Sequence, residues 1–416
     1  MSFKLAKNAT SHTKIQSCYP ELDLKGQRVA IVGLGKLGSA ATKLAFARGT
    51  SVITVDQNEN LGSIFKLNGW LDEKDGDLKT IFGNFDNKYL KEADIVVVSH
   101  GVPLQNYGLI SIISSGKQIL SELDFAAQVI PTCTKIIDVT GTNGKSTVAT
   151  FAGQMFNHLG FEIFIGGNLG VPLSEAALEC LTWSHQRPLQ VVVVEVSSYQ
   201  LEIPLKYFCP SVVVILNLTP DHLERHQTVW NYAATKGQIF SHMRGNKIGI
   251  LPLVGKHNYA NAAVAALLVI GLDIEIKAAA LSSTISKLRT LPHRMQVVHT
   301  DSDELADDSK ATNVEATYSG LIGFEQKSVL LLGGLAKEVK MKAYHGFEQL
   351  VEPLRHHRGV ITGMPLDRVL VVLDLTSSEI LSIEGGSFRS LLSHQSDHLF
   401  HILQVTSSSK MDYFTL

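Results

Sequence analysis

The sequence predicts an α/β protein built on parallel sheets, and three observations carry that prediction. Two strand, glycine-turn, helix units follow one another: Val29–Val32 runs through Gly33-Leu34-Gly35-Lys36-Leu37-Gly38 into the Ala-rich Ser39–Arg48, and Lys135–Val139 runs through Gly141–Thr147 into Val148–Leu159. The remaining apolar runs, such as Val191–Val194 and Val212–Leu216, have strand length and no polar alternation, as strands covered on both faces do. Each of those runs ends in a polar tail, where ligands of open parallel sheets bind.

At 416 residues with 45% apolar side chains, the chain has material for a large core and for two or three domains. The first twenty residues carry Lys4, Lys7 and Lys14 with no acid before Glu21; residues 1–24 therefore read as a disordered tail or a transit-type segment. The first α/β domain spans 25–130. Within it Ser51–Val55 is a second strand ending at Asp56, and Ile95–Val98 a further one running into Ser99-His100-Gly101-Val102-Pro103. A second domain spans 131–293 and closes with the Ala-rich helix Tyr259–Ile270. A third, 294–416, holds the strand Val329–Leu332 and loses βα alternation beyond about Gly363.

The net charge of −2 provides no basic excess with which to hold nucleic acid or an anionic membrane. No apolar run approaches the roughly 18 residues of a membrane span. Cys18, Cys133, Cys180 and Cys209 are scattered without a C-x-x-C pair, which argues against a zinc knuckle or a disulfide framework and for a reducing compartment. These features suit a cytoplasmic protein, with the plastid stroma as the alternative if the tail is a transit segment; a monomer is the expected state.

The loop Gly141-Thr142-Asn143-Gly144-Lys145-Ser146-Thr147 contains the parts a phosphate site needs: glycines that let successive N–H groups face one anion, a helix start behind them, a lysine, and hydroxyls for Mg²⁺. It is shorter than the usual phosphate loop, with two residues between Gly141 and Gly144. The bland alternative is a glycine turn followed by a surface lysine. Glu195 closes the valine strand and reads either as a magnesium ligand or as a cap on a neighbouring helix. His222, in the corresponding tail of the next strand, reads as a ligand or as a solvated turn residue. Gly33, Gly35 and Gly38 form a G-x-G-x-x-G turn, with Asp56 near the position of a ribose-binding acid. That turn recognises a pyrophosphate, whether of NAD or of a UDP-sugar, or is a plain structural βα turn.

Taken together, Gly141–Thr147, Gly167-Asn168-Leu169-Gly170, Glu195–Leu201, Asn217–His226, His257-Asn258, Leu291-Pro292-His293-Arg294 and Asp308-Ser309-Lys310-Ala311-Thr312-Asn313 stand in the order found in Mur ligases. Over roughly residues 25–360 the chain resembles that family, and Ser99–Pro103 and Asp308–Asn313 resemble its D-glutamate-adding branch. The resemblance implies a three-domain fold: a Rossmann-like domain for the UDP-substrate, a central ATP-binding domain and a Rossmann-like C-terminal domain. It implies that Gly141, Thr142, Asn143, Gly144, Lys145, Ser146 and Thr147 hold ATP, with Asn258 at the adenine and Arg294 and Asp308 reaching the nucleotide from the third domain. Thr147, Glu195, His222 and Lys236 would serve two magnesium sites, Lys236 as a carbamate formed with CO₂. Gly33, Gly35, Gly38, Asp56, Ser99, Gly101 and Asn168 would bind the UDP-substrate, and Lys310, Thr312 and Lys337 the incoming amino acid. Lys145, Lys236, His222 and Lys310 would form the catalytic set.

The implied reaction joins D-glutamate to UDP-N-acetylmuramoyl-L-alanine through an acyl phosphate made from ATP. Two departures from the family pattern, a central domain shortened near 240–256 and a divergent C-terminus, keep a nucleotide-binding but catalytically impaired variant as the alternative. A nicotinamide dehydrogenase is a distant third.

Overall fold

The computed structural model describes residues 23–61, 78–84, 87–182, 188–243, 248–250, 257–272, 274, 276–294, 296–299, 305–307, 311, 313–323, 329–333, 347–355, 359–364, 368–372 and 381–384. The chain forms two compact units, Met1–Leu253 with Ala260–Arg289, and Val254–Tyr259 with Thr290–Leu416. Among the described residues no helix is long and apolar enough to cross a membrane.

The first unit holds two five-stranded parallel sheets. In one, β1 (Arg28–Val32), β2 (Ser51–Asp56), β3 (Leu78–Phe82), β4 (Ile95–Val98) and β5 (Gln118–Ser121) stand in the order β3-β2-β1-β4-β5. In the other, β6 (Lys135–Thr140), β7 (Ile163–Gly167), β8 (Val191–Glu195), β9 (Val212–Ile215) and β10 (Ile248–Ile250) stand in the order β10-β9-β6-β8-β7. The strand order reverses beside β1 in the first sheet and beside β6 in the second, and such switch points open a crevice beyond the strands' carboxyl ends. Both glycine loops leave the sheets there. The short edge strand β10 falls within the stretch the sequence marks as shortened.

Alternation along the strands sorts side chains onto two faces. Val29 and Ile31 share a buried cluster with Val192, Val194 and Val213 of the second sheet, whereas Ala30 and Val32 bury into a separate layer on the other side. The expected domains 25–130 and 131–293 thus meet across one apolar core. A polar joint reinforces it. Asp124, fully buried, accepts hydrogen bonds from the backbone N–H groups of Lys206 (2.7 Å), Tyr207 (2.9 Å) and Phe208 (2.8 Å).

In the second unit β11 (Gln296–His299) and β12 (Leu305–Asp307) form an antiparallel pair. A four-stranded sheet follows, in which β13 (Val329–Gly333) runs parallel to β14 (Gly359–Met364), and β15 (Arg368–Val372) and β16 (Leu381–Glu384) continue antiparallel. Antiparallel strands need no crossover helix, which is why the βα rhythm fades beyond Gly363.

Candidate active site

The loop after β6 is braced from the tail of β9. Asn217 accepts from the Asn143 N–H through Oδ1 (2.8 Å) and donates from Nδ2 to the Asn143 carbonyl (3.0 Å), while the Thr142 N–H donates to the Asn217 carbonyl (3.0 Å). The Thr142 hydroxyl accepts from the Thr219 N–H (3.0 Å) and lies 3.1 Å from the Tyr232 phenol. Gly144 has φ +85°, and a Cβ there would lie 2.9 Å from Asn261 Oδ1 and 3.3 Å from Leu216 Cδ1. Both the left-handed backbone and the crowding call for glycine. The helix Lys145–His158 starts directly behind it, so its first N–H groups and positive dipole end face the loop's concavity. Ser146 and Thr147 are buried in its first turn, and Lys145 Nζ donates to the Thr142 carbonyl (2.7 Å).

Glu195 ends β8 beside the loop. Its Oε1 accepts from Asn168 Nδ2 at 2.8 Å, and its Oε2 is buried with no hydrogen-bond partner. A buried carboxylate oxygen left unpaired is costly, and a cation relieves that cost. Among the described residues no group of three or more His, Cys, Asp or Glu side chains is gathered closely enough to hold a metal by itself. Mg²⁺ does not need such a cage, because water and substrate phosphates fill most of its positions. The Thr147 hydroxyl and the Glu195 carboxylate are oxygen donors of the kind it takes.

Lys236, on the helix Val229–Gly237, is buried beneath the loop: it is 1% exposed, its Nζ donates to Thr140 Oγ1 (3.2 Å), and it lies 4.7 Å from the Tyr232 ring centre. Burial above all, then the neighbouring Lys145, lower its pKa to about 7, against the opposing pull of Asp221, Asp138 and Glu195. Asp138, fully buried on β6 with neither carboxylate oxygen paired, is pushed well above the usual carboxylate range by burial. Near neutral pH the pocket under the loop thus holds an acid that keeps its proton and an amine that gives one up readily.

His222 adopts a left-handed backbone (φ 55°) and precedes the short helix Leu223–His226. Its Nδ1 lies 2.8 Å from the Tyr199 hydroxyl. Burial first, then the hydrogen bond to Glu224, push the Tyr199 phenol up, so it stays protonated. Arg225 joins this segment to the first sheet, donating from Nε to Glu202 Oε1 (2.8 Å) and from NH2 to the Val102 carbonyl (3.0 Å).

At the other glycine loop, Gly35 caps the helix Lys36–Ala47. A Cβ on Gly38 would sit 1.8 Å from the Gly33 carbonyl oxygen, so only glycine lets helix and turn close. The Ser99 N–H donates to the Val32 carbonyl (2.9 Å), and Gly101 lies in the turn where the Val102 N–H donates to the Ser99 carbonyl (3.0 Å). Asp56 is committed to bracing: its Oδ2 accepts from the Leu34 N–H (2.6 Å) and its Oδ1 from the Asn58 N–H (2.8 Å). A carboxylate retains further lone pairs, so a ribose contact would share oxygens with the loop.

The structure thus gathers Gly141–Thr147, Asn168, Glu195 and Lys236 around the carboxyl end of β6, with His222 on the neighbouring β9 tail. Asn258 lies in the helix His257–Gly271, but its side chain is outside the described residues, as are Asp308, Lys310, Thr312 and Lys337 entirely. Arg294 belongs to the second unit. Sequence reasoning passed over Asn217, Tyr199, Asn261 and Asp138. The first two stood inside motifs already marked; the acid in the strand entering the loop was a signal that could have been caught, because a carboxylate in a buried parallel strand needs a reason.

Family models match in two places: the Mur ligase middle domain over residues 139–312 and the Mur ligase MurD-like N-terminal domain over 27–121. The chain is 29% identical to the UDP-N-acetylmuramoylalanine–D-glutamate ligase of Caldanaerobacter subterraneus subsp. tengcongensis, over 76% of this chain and 79% of that protein. It is 30% identical to the ligase of the same name from Desulfitobacterium hafniense, over 80% and 81% respectively. Among solved structures, MurF ligase from Thermotoga maritima in complex with ADP aligns with a TM-score of 0.48 and 16% identity, covering 75% of this chain and 81% of that one. The ordered motifs, the two family-model matches and the relative of 30% identity over four fifths of both chains together make the chain a member of the Mur ligase family.

Proposed function

We propose that this chain is the D-glutamate-adding ligase of peptidoglycan precursor synthesis, coupling ATP cleavage to amide formation on UDP-N-acetylmuramoyl-L-alanine. The observation that carries the reading is the convergence of a phosphate-type loop with an unpaired buried carboxylate oxygen, Glu195 Oε2, at the end of β6. The name borne by the relatives of about 29–30% identity supplies the substrates.

In this reading the loop N–H groups and Lys145 hold the ATP phosphates. Thr147, Glu195, His222 and Lys236 would hold two magnesium ions. When bound, magnesium neutralises charge on the phosphates during transfer. Lys236 is suited to carbamate formation because CO₂ adds to a neutral amine, and the burial that lowers this lysine supplies that form near neutral pH. Asn168, fixed by Glu195, orients the substrate's reacting end. The substrate's terminal carboxylate takes the γ-phosphoryl group, and the amine of D-glutamate then displaces phosphate, with Lys310, Thr312 and Lys337 proposed to hold the amino acid and Asn258, Arg294 and Asp308 the nucleotide. Phosphoryl transfer asks the protein mainly for positioning and charge neutralisation, which the loop is built to give.

Mass spectrometry of the UDP-linked product tests the reading. D-Glutamate should be incorporated in preference to L-glutamate, L-alanine or D-alanine; incorporation of a different amino acid would move the chain to another branch. A second reading, nucleotide binding without completed ligation, draws on the short stretch 237–256 between Lys236 and His257, in which the described strand is the three-residue β10. Product formation at any rate above a Lys145→Met control removes it.

A further inference from the structure

The surroundings of His222 fix something that the motif does not: where its ring proton sits. The Tyr199 hydroxyl donates to Glu224 Oε1 at 2.8 Å and lies 2.8 Å from His222 Nδ1. The same Glu224 oxygen is 3.5 Å from His222 Nδ1. A phenol has one proton to give, and a carboxylate can only accept. With that proton spent on Glu224, the phenol oxygen faces Nδ1 as an acceptor. A hydrogen bond between them then requires the proton on Nδ1, and in a neutral imidazole the in-plane lone pair falls to Nε2. Nε2 lies 3.6 Å from Asp221 Oδ2, an electron-rich edge that suits a cation.

The arrangement is braced on every side. Arg225 stacks 5.2 Å from the Tyr199 ring centre, the Tyr199 and His222 rings lie 4.7 Å apart, and the backbone N–H of His222 donates to Asp221 Oδ1 (3.0 Å).

We propose that Tyr199 and Glu224 are positioning residues that hold His222 as its Nδ1–H tautomer and so present Nε2 as the electron-pair donor to magnesium. The role as a metal donor rests on the reading of His222 given above; the tautomer does not. Outer partners of this kind commonly change metal affinity by about 10- to 100-fold.

Long-range ¹H–¹⁵N correlation on the full-length protein, at mildly alkaline pH and with His222 assigned by its absence in His222→Gln, reads the tautomer directly. The wild type should show Nδ1 protonated. Glu224→Ala frees the phenol proton for Nδ1 and should move the ring to Nε2–H; Tyr199→Phe removes the acceptor and should raise the Nε2–H population. Glu224→Gln, whose amide oxygen still accepts from Tyr199, should retain Nδ1–H. Electron paramagnetic resonance with Mn²⁺ and ATP should show about tenfold weaker Mn²⁺ binding in Tyr199→Phe and Glu224→Ala and near-normal binding in Glu224→Gln. A wild-type ring in the Nε2–H form, or one that ignores both disruptive variants, overturns the proposal. An Nδ1–H ring with unchanged Mn²⁺ affinity in those variants, while His222→Gln weakens it, overturns the positioning role alone. If His222→Gln also leaves Mn²⁺ binding intact, the metal-donor reading of His222 fails and the tautomer stands.

Discussion

Replacing Lys236 with methionine keeps an unbranched side chain one atom shorter and removes its charge, and its effect on stability should depend on pH with a definite sign. Burial lowers this lysine from 10.5 to about 7, so between those values the unfolded chain carries a proton that the folded chain does not. Stability linked to Lys236 is therefore fully present above about pH 10.5 and is lost progressively as pH falls to about 7, below which it stays flat. At about 1.4 kcal/mol per pH unit the ceiling is about 5 kcal/mol, and internal relaxation brings the expected value to about 2–3 kcal/mol. Asp138 stays neutral in the variant, since its own burial pushes its carboxyl far up. Lys236→Met should thus be more stable than wild type by that amount at pH 7, with the advantage vanishing toward pH 10.5. Hydrogen exchange of the β6 and β8 amides in CO₂-free buffer reads the opening free energy of the surrounding sheet without assuming that both units unfold together. Adding bicarbonate should then protect the wild type alone, as binding to the native state does. Parallel profiles for the two proteins from pH 7 to 10.5, or a less stable variant at pH 7, would refute the reasoning.

Gly38→Ala forces a methyl against the Gly33 carbonyl; it should cost about 1–3 kcal/mol by overpacking and raise KM for the UDP-substrate well above that for ATP in steady-state kinetics. Asp124→Ala orphans the N–H groups of Lys206, Tyr207 and Phe208 and should lower stability by about 3–5 kcal/mol, seen as a marked drop in Tm. Glu122, buried with Oε1 on the Ser174 N–H and Oε2 unpaired, is raised from 4.5 to about 7, chiefly by burial. Its contribution is fully present below pH 4.5 and lost as pH rises through 7, so Glu122→Gln should match wild type in acid and exceed it by about 1–3 kcal/mol at pH 8 in urea denaturation.

Much of the fold was legible because its signals are local. Four consecutive valines bounded by polar residues cannot be a surface strand, and the glycine turns announce the switch points; β4, Ile95–Val98, falls where the sequence puts it. The helices begin earlier than hydrophobic periodicity suggests, at Lys36 and Lys145, because the polar first turn faces a ligand crevice and carries no apolar signature. Glu195 was legible from its place at the end of the valine strand and Lys236 only from the family resemblance, and their burial explains their chemistry. Tyr199 was not legible as functional, and Asp138 was legible only as an acid that a buried strand has to account for. Their significance lies in contacts with residues far along the chain, and spacing does not encode which oxygen is left unpaired or where a phenol sends its proton.

The central claim is that the site beyond β6 moves the γ-phosphoryl group of ATP onto the carboxylate of a UDP-linked substrate. Substrate carrying ¹⁸O in its terminal carboxylate, incubated with ATP, Mg²⁺ and D-glutamate, tests this directly. The account predicts that the phosphate released contains one ¹⁸O atom per amide formed, since that oxygen leaves with phosphorus when the amine displaces it. Phosphate free of ¹⁸O, released at the same rate whether or not D-glutamate is present, would show that water is the acceptor and contradict it.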